Sequence, residues 1–163
     1  MTPDARWDAD AAVEELYAAH YLRLVRLAVL LVRDVGIAEE VVQDSLVAMH
    51  GRWRSLRNAE SGLAYLQQTV VNRSRSVVRR RGASYAPTSS LEPGDPPSSG
   101  RRAAVLDALR ALPERQREVL ALGYYLDLAE AQIADALGIS RAAVRRNASR
   151  AVAALRSLAE DVA

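Results

Sequence analysis

The sequence predicts an all-α protein of two small helical domains joined by a flexible linker. Three observations carry that prediction. Apolar residues recur at steps of three and four, the spacing of one helix face, and no stretch alternates apolar and polar residues as a half-buried strand does. Residues 82–100, GASYAPTSSLEPGDPPSSG, contain twelve Gly, Pro or Ser among nineteen positions, too little apolar surface to fold alone. Residues 128–150, LAEAQIADALGISRAAVRRNASR, read as two short helices joined by Gly138-Ile139-Ser140. The expected division is a three-helix domain over 11–81, a linker over 82–100 and a four-helix domain over 101–160, with the helix-turn-helix near 129–150.

The first helix is expected from Val13 to Leu31, where Val13, Leu16, Tyr17, His20, Leu24, Leu27, Ala28 and Leu31 form one stripe. Asp34-Val35-Gly36 interrupts it, and a second helix follows. Ala38, Val41, Val42, Ser45, Leu46 and Met49 face inward, which leaves Glu39, Glu40, Gln43 and Asp44 on the outer face. A third helix runs from about Ser61 to Arg81 on a stripe of Leu63, Leu66, Val70 and Val77. Asn72, Arg75 and Arg79 point away from that stripe, with Gln68 a turn earlier. Arg73 falls inside it, which periodicity alone does not explain.

As a coil the linker separates its ends by roughly 25 Å. Beyond it, Val105, Leu106, Leu109 and Leu112 form a helix that Pro113 ends. Pro113 suits the first position of the next helix, Glu114 to Tyr125, and Glu114 favours its positive end. Ile133 and Leu137 then make a small apolar face on the first helix of the helix-turn-helix. Gly138 can take the left-handed geometry that ends this helix, and Ser140 can cap the next. On the second helix Val144, Ala148, Ala151, Leu155 and Leu158 form a docking stripe. Ala142, Arg146, Ser149 and Ala153 lie opposite, flanked by Arg145 and Arg150. Five arginines and no acid occur between Arg141 and Arg156, whereas a merely solvated helix usually mixes charges. Such a face suits reading of the DNA major groove.

The formal net charge of +2 conceals segregation. Residues 1–51 hold four arginines against nine acids, and residues 52–81 hold eight arginines against Glu60 alone. All basic residues are Arg, a bias that a GC-rich genome explains; sorting by position is not explained that way. The segregation points to one surface for nucleic acid and another for a basic protein partner. No cysteine is present, and His20 and His50 lie on separate helices, so no metal site and no cofactor are expected. No Gly-rich phosphate loop or nucleophile motif occurs, and adjacent Glu39 and Glu40 do not converge on one point. An enzyme is therefore not expected, and no catalytic residue is assigned. The acidic, polar start is unlike a signal peptide, and the longest apolar run, Leu27 to Val32, is too short to span a bilayer. No membrane insertion and a cytoplasmic location are the expectation.

The order acidic helix, arginine-rich helix, linker, Leu-Pro-Glu helix and basic helix-turn-helix resembles a bacterial RNA polymerase sigma factor. The class it resembles is the extracytoplasmic-function (ECF) class of the sigma-70 superfamily, of actinobacterial type. Ala38-Glu39-Glu40-Val41-Val42-Gln43-Asp44 resembles that family's acidic region-two box. Leu66 to Ser76, with Arg79-Arg80-Arg81, resembles its promoter-facing helix, and Leu112-Pro113-Glu114-Arg115-Gln116-Arg117-Glu118-Val119-Leu120 resembles the opening of its region four. The resemblance covers nearly all of the chain except the first dozen residues and the linker.

The resemblance implies roles residue by residue. Glu39, Glu40, Gln43 and Asp44 would bind core polymerase through the clamp helices of its largest subunit. Asn72, Arg75, Arg79 and Arg80 would engage the minus-10 element, with Trp53 and the segment to Glu60 near the melting strand. Arg141, Arg145, Arg146, Ser149 and Arg150 would read the minus-35 element or its phosphates. The implied partners are core RNA polymerase, promoter DNA and an anti-sigma factor. Two departures stand out: Ala129 replaces the usual Ser or Thr at the start of the helix-turn-helix, which leaves Asp127 as the candidate cap. The recognition helix also reads Ala143-Val144-Arg145-Arg146-Asn147, where members often have Thr-Val-Lys-Ser. The alternative is a helix-turn-helix repressor or activator that does not bind core polymerase; it needs neither the acidic box nor the arginine cluster.

Overall fold

Helices account for most of the described residues of this computed structural model (5–56, 58–81 and 107–162), and no strand occurs among them. The expected linker lies outside these residues. α1 (Ala5–Val32) begins well before the expected Val13. Ala9 and Ala12 pack against Trp53, and Asp10 Oδ1 lies 2.7 Å from His50 Nε2, so the early turns have tertiary partners. Arg33, with φ of 63°, ends α1 in the left-handed region. Asp34 Oδ1 then accepts from the Ile37 amide at 3.0 Å and caps α2 (Val35–Leu56). Asn58 Oδ1 does the same for the Ser61 amide, at 2.8 Å, at the start of α3 (Ala59–Arg81).

α1, α2 and α3 pack pairwise into the first domain. The expected inward set of α2, from Ala38 to Met49, is buried, and Ser45 donates its hydroxyl to the Val41 carbonyl at 2.7 Å. Gly62 sets how closely α3 approaches. A Cβ there would lie 3.0 Å from the Trp53 ring, 3.1 Å from Leu16 and 3.3 Å from the Met49 sulfur. Leu66, Val70, Val71 and Ser74 form the buried face of α3. Ser74, not Arg73, continues the stripe a turn beyond Val70; Arg73 is exposed, which removes the conflict in the periodicity.

The second domain comprises α4 (107–111), α5 (Glu114–Leu120), a π-helical turn (Ala121–Tyr125), α6 (Glu130–Leu137) and α7 (Arg141–Val162). Pro113 stands at the N-cap of α5, one position before the expected one. The single helix expected to Tyr125 widens at Ala121 into the π turn, in which backbone hydrogen bonds span five residues instead of four. Ala129, not Asp127, is the N-cap of α6. Alanine has no oxygen to offer, so only half a capping box forms: Gln132 Oε1 accepts from the Ala129 amide at 2.8 Å. Asp127 instead holds a left-handed backbone, with φ of 52°, in the preceding turn. Gly138 ends α6 with φ of 66°, and Ser140 Oγ caps α7 by accepting from the Ala143 amide at 3.0 Å. Along α7, Val144 and Ala151 are buried and Leu155 is half-buried, but Leu158 lies beyond the domain's edge and is exposed.

The two domains dock. α1 meets α5 and the π turn, and α3 meets α6. One apolar core runs from Leu16 through Val71 to Leu122, Ile133 and Val144. This explains why the C-terminal part of α1 is apolar on more than one face: Leu24, Val25 and Leu27 to Val32 are buried, with two helices of its own domain and two elements of the other around them.

Candidate polymerase and promoter interface

The outer face of α2 carries the acidic box. Glu40, Gln43 and Asp44 are exposed, and Glu39 is half-buried. Val47, one turn beyond Gln43, is 72% exposed, an apolar side chain that no fold contact requires. Tyr17 was expected in the core of α1 but is 49% exposed. Its ring stacks on Tyr21 with centroids 4.4 Å apart, and Gln43 Nε2 approaches the Tyr21 hydroxyl at 3.5 Å. Acid, amide, aromatic ring and valine thus form one surface; an apolar component inside an acidic helix face was the missed part.

On α3, Asn72, Arg79 and Arg80 are exposed and have no hydrogen-bond or ion-pair partner among the described residues. Arg73 is exposed beside them. Arg75 is placed differently from expectation. Its Nε and Nη2 donate to Glu118 Oε2 and Oε1 at 3.1 and 3.0 Å, a fork across the domain boundary, and Glu114 lies 3.4 Å from its Nε. The Arg75 side chain is 15% exposed and Glu118 2%. The hydrogen bond to Glu118 raises the Arg75 pKa above its usual value, against the effect of burial. Arg75 therefore does not face outward in this closed arrangement. Trp53 is also unavailable to DNA, because its ring fills the contact between α1, α2 and Gly62.

Further contacts cross the boundary near the end of α1. Arg23 Nη2 donates to the Tyr125 carbonyl at 2.8 Å. Arg33 Nη2 and Arg117 Nη1 both donate to the Arg110 carbonyl at the end of α4. Burial, and then the neighbouring guanidinium, lowers the pKa of Arg33 and of Arg117. The boundary thus combines a favourable ion pair with gathered like charges.

On α7, Arg141, Arg145, Arg146, Ser149 and Arg150 are all exposed, as expected. Arg146 and Arg150 have no partner among the described residues. Arg141 Nε and Arg145 Nη1 share Glu130 Oε1, at 3.2 and 2.7 Å. A cleft of about 750 Å³ beside this helix has an apolar floor of Leu120, Ile133 and Val144, with Arg145 and Ser149 on its wall. Among the described residues no three potential metal ligands converge, and no helix is long and apolar enough to cross a membrane.

Comparison with known proteins follows the same division. The family model for Sigma-70 region 2 matches residues 16–84, and that for Sigma-70 region 4 matches residues 102–155. The chain is 31% identical to the RNA polymerase sigma-E factor of Streptomyces coelicolor, over 88% of this chain and 83% of that one. It is 30% identical to the ECF RNA polymerase sigma factor SigL of Mycobacterium tuberculosis, over 93% and 91% of the two chains. Among solved structures, the sigma factor RpoE in complex with the anti-sigma factor NepR from Bartonella quintana superposes with a TM-score of 0.73 at 23% identity, covering 90% of this chain and 95% of that one. CnrH, in complex with the cytosolic domain of CnrY, superposes with a TM-score of 0.71 at 24% identity, covering 98% and 100%. With its acidic α2 face, arginine-bearing α3 and basic helix-turn-helix in the family's order, the chain belongs to the extracytoplasmic-function class of RNA polymerase sigma factors, subunits that bind core polymerase and direct it to promoters.

Proposed function

We propose that this sigma factor divides its work between three surfaces that the fold leaves free. Glu39, Glu40, Gln43 and Asp44 on α2, joined by Val47 and Tyr17, bind the clamp helices of the polymerase largest subunit. Asn72, Arg79 and Arg80, with Arg73, engage the minus-10 element and its phosphates. Arg146, Ser149 and Arg150, with Arg141 and Arg145, meet the minus-35 element. The observation that supports this most is that these polar and basic side chains, apart from the half-buried Glu39, are exposed and in large part unpartnered, although the fold uses other arginines as bridges. Arg75 joins the minus-10 surface only after it leaves Glu118, so productive binding requires the domains to separate from their docked arrangement.

The residues 11–81 and 101–160 form the two working domains in this reading, with 82–100 between them. The chain has no catalytic activity of its own and works in the cytoplasm, where its polymerase is. An anti-sigma partner is part of the proposal; the two partner-bound relatives of the same fold support it. A pull-down with purified core polymerase tests the reading. Stoichiometric retention of the chain is expected, and its loss after Gln43→Arg with Asp44→Arg. A repressor or activator would not be retained.

A further inference from the structure

Glu130 opens α6 where that helix passes the first turns of α7. Its Oε1 accepts from Arg141 Nε at 3.2 Å and from Arg145 Nη1 at 2.7 Å. These arginines stand one helical turn apart, so without a counter-charge they repel each other. The Glu130 side chain is 28% exposed, against 66% for Arg141 and 63% for Arg145. The carboxylate thus lies beneath the pair, and the guanidiniums turn most of their surface outward. Each guanidinium uses one N–H on Glu130 out of five, which leaves donors enough for a forked contact to a base edge or a phosphate. Ion pairs this exposed contribute little to folding, so stability is a poor reason for the arrangement.

We propose that Glu130 is a positioning residue for promoter reading: it fixes Arg145, braced by Arg141, in one orientation on α7 and so sets the preference at one base pair of the minus-35 element. A long side chain already held loses less freedom when it docks, and the gain applies only where the base edge matches the held geometry. Glu130 also cancels one positive charge at the DNA-facing surface, which weakens phosphate binding at every sequence alike. Both effects raise the ratio of specific to non-specific binding. The inference rests on the reading of α7 as the promoter-facing helix.

The test uses holoenzyme assembled from core polymerase and the full chain, assayed across a library of minus-35 variants and at several salt concentrations. Glu130→Gln should flatten the preference at one base pair by about tenfold, the scale of one good forked arginine contact. It should also steepen the salt dependence by about one counterion. Glu130→Asp keeps the charge but shortens the reach, so the preference should flatten with the salt dependence unchanged. Arg145→Ala should flatten the same position, and adding Glu130→Gln to it should change that position no further. Two results overturn the proposal while leaving α7 as the reader: Arg145→Ala flattens a position that Glu130→Gln leaves intact, or Glu130→Gln lowers transcription equally at all variants together with the thermal midpoint. If neither Arg145→Ala nor Arg146→Ala changes the preference at any position, the reading of α7 itself fails, and the role of Glu130 with it.

Discussion

Arg146 and Arg150 stand one turn apart on α7, both exposed and both unpartnered among the described residues, yet they should behave differently. Arg146 points directly away from the Val144–Ala151 stripe, the direction that reaches base edges when a recognition helix enters the major groove. Arg146→Ala should cost about 1–3 kcal/mol at one base pair and relax the preference there. Arg150, on the flank, should meet phosphate; Arg150→Ala should weaken all promoters alike and reduce the salt dependence by roughly one counterion. Promoter libraries transcribed by the holoenzyme measure both. An equal loss from the two substitutions at every minus-35 variant would mean that α7 holds DNA without Arg146 reading it. Single side chains were legible in the sequence where their own helix decides their direction, as for Arg146, Gln43 and Asp44. Arg75 was not, because its partner Glu118 is 43 residues away in another domain and no local pattern encodes that pairing. Trp53, which the resemblance places near the melting strand, is buried because Gly62 makes room for its ring.

At the scale of the element, α2 separates its two jobs by face. Its buried face is complete without Gln43 and Asp44, so Gln43→Arg with Asp44→Arg should weaken core binding at least tenfold while helicity by circular dichroism is unchanged. Lost helicity would instead make these residues structural. α3 depends on Gly62 for its approach to α1 and α2. Gly62→Ala places a methyl 3.0 Å from the Trp53 ring and should destabilise the first domain by about 1–3 kcal/mol in chemical denaturation. An unchanged midpoint would show that the ring yields easily. Helix order is legible because apolar residues recur at steps of three and four, over several turns in α1, α2, α3 and α7 and over a single step in α6. The early start of α1 is not, since it follows from the packing of Ala9 and Ala12 on Trp53, and no local pattern marks the π turn at Ala121–Tyr125, whose last carbonyl accepts from Arg23 of α1.

For the whole molecule, the docked arrangement has a consequence for promoter binding: the same guanidinium of Arg75 cannot serve Glu118 and the minus-10 element together. The pair is strong, with a fork onto a carboxylate that is 2% exposed, but the arginines gathered at Arg33, Arg110 and Arg117 oppose closure. Glu118→Gln should weaken the domain contact by about 1–3 kcal/mol. Small-angle scattering should then give a larger radius of gyration than for the unsubstituted chain; an unchanged radius would assign the docking to the apolar core alone. Periodicity marks the helices of each domain but not this contact, because charge pairing across a domain boundary leaves no periodic trace. Run-off transcription with purified core polymerase and a promoter from its own genome measures whether this chain confers promoter recognition. A discrete transcript is expected that requires the chain and disappears with Gln43→Arg and Asp44→Arg. Equal transcription with and without the chain, or none from any candidate promoter, would contradict it.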